Sequence, residues 1–164
     1  YGSNSSPYYE LKLNSSNALA NSGNTNAPFA GNPTATTIPL PSGTASASNR
    51  SGYNYIAYLF ATVAGVSKVG SYAGSNSDQT IDCGFTNGAR FVLCKAIDDA
   101  QNWVVWDSTR GIVAGNEPYL VFDRSDAQIT GQDRIDPHSS GFTLTGGFSG
   151  ANQAGYNFIF YAIA

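Results

Sequence analysis

Charge is what this chain has least of. Only 12% of its 164 residues are Asp, Glu, Lys or Arg, about half the usual share for a soluble domain. The 8 Lys and Arg are scattered singly between Lys12 and Arg134, against 11 Asp and Glu, for a net charge of −3. Neutralising a phosphate backbone takes clustered cations, so nucleic acid is not an expected partner. No apolar run approaches the length of a membrane span, so membrane insertion is not expected either, and no signal peptide is recognisable. The two cysteines, Cys83 and Cys94, are too few for a zinc site of the usual kind.

Catalytic residue types are equally sparse. His138 is the single histidine; it follows Pro137 in a turn-like stretch and precedes Ser139 and Ser140. Residues this close in sequence rarely present a serine and a histidine in line, and no G-x-S-x-G elbow exists, since Gly147, Phe148 and Ser149 are followed by Gly150 and Ala151. Asp98, Asp99, Asp107, Asp123, Asp126, Asp133 and Asp136 fall at strand ends and turns, where Asp bonds the backbone. Glu10 alone has the setting of a glycosidase carboxylate, within a strand and beside aromatics. The glycine-rich piece at 146–150 does not join a strand to a helix, so it does not read as a phosphate cradle. No catalytic residue is assigned, and an enzyme is not expected.

What the chain does have is strand-forming sequence. Hydrophobic residues make up 41%, aromatics 13%, and there are 18 glycines. Strand patterns occur at 8–13, 53–63, 66–72, 79–83, 90–97, 103–107, 119–122, 141–144 and 156–164, with Gly, Asn, Ser and Pro clusters between them. Many short strands at such spacing predict an all-β, antiparallel sandwich or barrel.

Two of these segments are copies of one another. Residues 49–61 (NRSGYNYIAYLFA) match residues 152–164 (NQAGYNFIFYAIA) in Asn, Gly, Tyr, Asn, Ile, Tyr and Ala. Upstream, Pro7 and Tyr8 with Leu11 and Leu13 echo Pro118 and Tyr119 with Val121 and Phe122. The pattern predicts a tandem of β units: an incomplete first copy over 1–61 and a complete one over 62–164. The missing front half is what a C-terminal piece of a longer or processed polypeptide would lack. In both copies the repeated strand is apolar on alternate and intervening positions, which predicts a central strand covered on both faces. Residues 14–50 are rich in Asn, Ser, Ala, Thr and Pro and read as a long polar surface loop.

Two local readings stay open. Cys83 and Cys94 flank Asn87 and Gly88; a hairpin with a two-residue loop there would place Cys83 opposite Val92. A bulge or a longer loop would let the sulfurs form a disulfide, and the alternative is two buried thiols. In the run WVVWDSTRG (103–111), alternation puts Trp103 with Val105 and Val104 with Trp106, so one Trp faces the core and the other a rim. Trp106 with Asp107 and Arg110 could then stack on a sugar ring. The competing reading makes Asp107 and Arg110 a pair that closes the turn after the strand.

The phrases GVSKVGSYAG (65–74), QTIDCGFTNGARFVL (79–93), NWVVWDSTRGIVAGNEPYL (102–120), SSGFTL (139–144) and AGYNFIFYAIA (154–164) resemble a repeat found in large tail-fibre and virion proteins of marine bacteriophages. Residues 7–61 resemble the back half of a preceding copy. That resemblance implies a concanavalin- or laminin-G-like (jelly-roll) β-sandwich on a virion surface or otherwise extracellular. The function it implies is appendage assembly and attachment to host-surface glycans, with no established catalytic residues. A subunit of a filament or capsid decoration, or a secreted carbohydrate-binding module, is the alternative. The implied partners are further copies of the chain, as a trimer or filament, neighbouring virion proteins and cell-surface glycans. Laminin-G-like sandwiches often hold one calcium through loop oxygens; here Asp98, Asp99 and Asn102 are closely spaced, as are Asp133 and Asp136.

Overall fold

The computed structural model describes residues 9–21, 30, 33–41 and 48–164, and all of their regular structure is β-strand. Pro7, Tyr8 and much of the polar stretch (22–29, 31–32 and 42–47) lie outside the described residues. The chain forms two compact units, one ending at Leu59 and one running from Phe60 to Ala164 that also takes in Lys12–Ala18.

The first unit has little regular structure. Strand β1 (Tyr9–Glu10) pairs antiparallel with β2 (Ala20–Asn21). A tight turn is held where the Thr34 hydroxyl accepts the N–H groups of Thr36 and Thr37 at 3.2 and 2.9 Å. Residues 53–61, expected as a central strand, form none, and Tyr53, Ile56, Tyr58 and Leu59 are exposed.

The second unit is an all-β sandwich of two antiparallel sheets. Strands β3 (Ser67–Ala73), β5 (Phe91–Ala96), β6 (Val104–Asp107), β7 (Leu120–Val121) and β10 (Asn157–Ile163) form one sheet in the order β3-β10-β5-β6-β7. Strands β4 (Gln79–Asp82), β8 (Ile135–His138) and β9 (Gly141–Leu144) form the other in the order β4-β9-β8. As its two-faced pattern requires, β10 is central, paired with β3 along one side and β5 along the other.

Period-two alternation sorts the side chains. Phe158, Phe160 and Ala162 of β10, Val92 and Cys94 of β5, and Val104 and Trp106 of β6 point inward. Ile81, Ile135, Phe142 and Leu144 meet them from the smaller sheet. Phe142 and Phe160 make an edge-on ring contact across the interior at 5.6 Å. Burying each such side chain contributes about 1.5–3 kcal/mol. Phe160 needs room on its own sheet as well. A Cβ at Gly70, its partner on β3, would lie 2.6 Å from the ring.

Two further expectations change. Asn87 and Gly88 do not turn a hairpin, because β4 and β5 belong to different sheets. The loop is a crossover whose Gly88 and Ala89 N–H groups donate to Ser139 and Gly141. Cys83, just after β4, and Cys94, within β5, are two free, buried thiols. Burial pushes Cys83 up to about 11, against the opposing pull of Lys68, and Cys94 up to about 12. Strand β8 was not expected, since Pro137 cannot donate to a ladder. It is tolerated because β8 is an edge strand.

Candidate functional site

The approach to β7, the end of the connection that follows it and β8 itself bring together the most concentrated acidic chemistry of the described residues. Glu117 stands two residues before Tyr119 and is completely buried, with its N–H donating to Gln132 at 3.1 Å. Its Oε2 accepts the backbone N–H groups of Arg134 and Ile135 at 3.0 and 3.2 Å, which turns the carboxylate toward the start of β8. Its Oε1 has no hydrogen-bond partner. Asp133 and Asp136 flank those two N–H groups, and one oxygen from each of the three carboxylates lies within 4.8 Å of the others. Glu117 is buried, Asp136 half-buried and Asp133 exposed, so the group opens to solvent on one side. Donors of this kind, all hard oxygens, suit a divalent cation such as calcium.

Glu117 was not among the sequence candidates. Between Asn116 and Pro118 it reads as a turn residue, and only the fold brings it to Asp133 and Asp136. In the expected cation trio of Asp98, Asp99 and Asn102, each member is engaged with different partners. Asp98 accepts from the backbone N–H and side-chain amide of Asn157 at 3.0 and 2.7 Å. Asp99 accepts from Gln101 at 2.9 Å, and that amide with the Tyr156 hydroxyl holds it below the usual carboxylate range. The Asn102 amide donates to Asp123 at 3.0 Å.

The sugar-stacking candidate is corrected. Trp106 is fully enclosed, with Tyr119 and Phe148 against its ring at 5.9 and 6.4 Å, and offers no face to a ligand. Trp103 is also buried and donates its Nε1 hydrogen to Lys12 O at 3.0 Å. Asp107 accepts the N–H groups of Thr109 and Arg110 at 3.0 and 2.9 Å and pairs with the Arg110 guanidinium, which closes the turn. Burial would raise the Asp107 carboxyl, but these donors outweigh it and hold the group below the usual range.

His138 lies exposed at the end of β8, where its Nδ1 is 3.1 Å from the Ser140 hydroxyl and accepts the Ser140 N–H at 3.3 Å. With Nδ1 engaged by a residue two positions away, the pair is arranged as a turn and lacks the oriented base of a catalytic triad.

The outer face of the five-stranded sheet is the second notable feature. Phe91 and Leu93 of β5 and Ile159, Tyr161 and Ile163 of β10 are only half-buried there. Phe60 leans on Tyr161 at 4.7 Å between ring centroids. Together they line an apolar groove of about 560 Å³. The face of β10 expected to be covered by a neighbour or loop is thus covered only in part.

A family described as a domain of unknown function (DUF7483) matches residues 3–164, and the chain belongs to it. No curated protein and no solved structure matches the chain.

Proposed function

We propose that this protein is a non-enzymatic structural module of a virion or extracellular appendage, such as a phage tail fibre, and that its work is assembly with further copies of itself. The carrying observation is the half-covered outer face of the five-stranded sheet. Its apolar residues, Phe60, Phe91, Leu93, Ile159, Tyr161 and Ile163, form a continuous groove. A soluble chain with so little charge gains most by burying such a face against another apolar face. A second copy presents the same face, and a two-fold pairing would bury both. The repeated sequence favours this occupant, because residues 53–61 show that the chemistry of β10 recurs within the chain.

Glycan attachment, the other half of this reading, would fall to the exposed tyrosines Tyr53, Tyr55 and Tyr58. Each offers an apolar ring face with a polar tip. Weak single sites of that kind gain from repetition in an assembly.

Sedimentation equilibrium over a wide concentration range tests the assembly reading. The wild-type chain should self-associate, and Leu93→Lys or Tyr161→Asp on the outer face should return it to a monomer with the fold intact by circular dichroism. A wild-type chain that stays monomeric throughout would overturn it.

A further inference from the structure

We propose that Glu117, Asp133 and Asp136 form a divalent-cation site of the calcium class. Ionised carboxylate oxygens within 4.8 Å of one another repel, and a cation between them relieves that repulsion. Acidic clusters at a surface are often left to water, but this one has a member with no access to water. Glu117 is 0% exposed and its Oε1 is unpartnered, while its Oε2 is fixed toward Asp133 and Asp136 by the N–H groups between them. A buried charged oxygen without a partner is costly, so native structures satisfy such atoms.

The guanidinium of neighbouring Arg134 makes no hydrogen bond or ion pair with the three carboxylates, and its own buried Nε is without a partner. It lies over the Phe148 ring, 4.7 Å from the centroid, and donates to Gln132 at 2.8 Å. A cation reaching the cluster past exposed Asp133 would give the buried Glu117 carboxylate a countercharge and quench the repulsion in one step.

The donor set chooses the ion. Oxygens alone, with no thiol or imidazole, select a hard cation. Calcium holds its ligands at about 2.3–2.6 Å and tolerates irregular geometry, so donors spaced as these are can share one ion with water completing the shell. Its place in the fold gives the ion a structural task. Glu117 lies on the approach to β7 in the five-stranded sheet, and Asp136 lies within β8 of the three-stranded one. One bound ion would clamp the two sheets and the connection between them.

Terbium titration of the full chain, exciting the protein aromatics, provides the test, since Tyr119 is close to Glu117 in sequence and lies 5.9 Å from Trp106. One saturable equivalent of terbium, displaced by calcium, is expected, and calcium should raise the melting temperature in a way that EDTA reverses. Asp133→Asn and Asp136→Asn should each weaken binding about tenfold or more, a loss that removing even an outer partner of a metal ligand can produce. Asp126→Asn, at an exposed acid paired with Arg124, should leave it unchanged. Glu117 is kept intact in these variants because its Oε2 also holds two backbone N–H groups. The proposal is overturned if no saturable binding occurs up to about 10 mM calcium, beyond the weakest range of extracellular calcium modules. It is overturned equally if both variants bind as tightly as the wild type.

Discussion

Strand β10 and residues 53–61 share much of their sequence and have two different fates. Tyr156, Asn157, Ile159, Tyr161 and Ala164 recur as Tyr53, Asn54, Ile56, Tyr58 and Ala61. In β10 the sequence is a central strand, bonded along both edges and buried on its inner face. In the earlier copy it forms no strand, and Ile56 is 82% exposed where Ile159 is half-buried. The shared strand-forming residues therefore do not by themselves decide the outcome. What differs is the company: β3 and β5 satisfy the backbone of β10, and the smaller sheet receives its side chains. A two-faced apolar sequence is permission to be a central strand, and neighbours turn that permission into structure.

The largest test of this contrast is a pair of matched truncations. Phe158 is fully buried and stacks on Tyr72 at 5.2 Å, whereas its counterpart Tyr55 is exposed. Phe158→Ala should cost about 3–5 kcal/mol, the range for an aromatic removed from a core. Tyr55→Ala should change stability by no more than about 0.5 kcal/mol, as at an ordinary surface position. Urea unfolding of both variants measures the difference. Equal losses would mean that the earlier copy is packed as tightly as β10, and the contrast would collapse.

A smaller effect sharpens the reason. On the inner face β10 carries Phe158, Phe160 and Ala162, where the earlier copy carries Tyr55, Ala57 and Leu59. The Phe160 ring fits because Gly70 leaves room, and a Cβ there would approach it to 2.6 Å. Gly70→Ala should cost about 1–3 kcal/mol through overpacking. Added to Phe160→Leu, the same change should cost less, because the two residues compete for one space. Strictly additive losses would place the strain elsewhere.

The same distinction between local pattern and neighbours explains what could be read in advance. The alternation in 79–83, 90–97 and 141–144 found its strands because a half-buried surface has a period of two and side-chain chemistry marks it. The central place of β10 was legible from its apolar faces. Pairing between strands was not. Asn87 and Gly88 carry a local signal for a hairpin, and the loop instead spends its N–H groups on the turn after β8. Alternation separated Trp103 from Trp106 but could not say that both would be buried, since that depends on Lys12, Tyr119 and Phe148. Glu117 failed to stand out for the same reason: its partners arrive from a strand that Pro137 disguised.

The smallest effect concerns how β10 begins. Asp98 fastens Asn157 at both its backbone N–H and its side-chain amide, at 3.0 and 2.7 Å. Hydrogen bonds to a charged acceptor contribute about 1.5–3 kcal/mol when shielded, but Asp98 is exposed and solvent screens its charge. Asp98→Ala should therefore cost only about 0.5–1 kcal/mol. Asn54→Ala, at the matching exposed position of the earlier copy, should cost nothing measurable. Amide exchange gives the finer readout: without Asp98, the Asn157 N–H should lose protection while the Phe160 N–H keeps it. Loss of protection along the whole strand would make Asp98 a condition for β10 to form, and the neighbouring strands would no longer suffice to explain why only one copy is a strand.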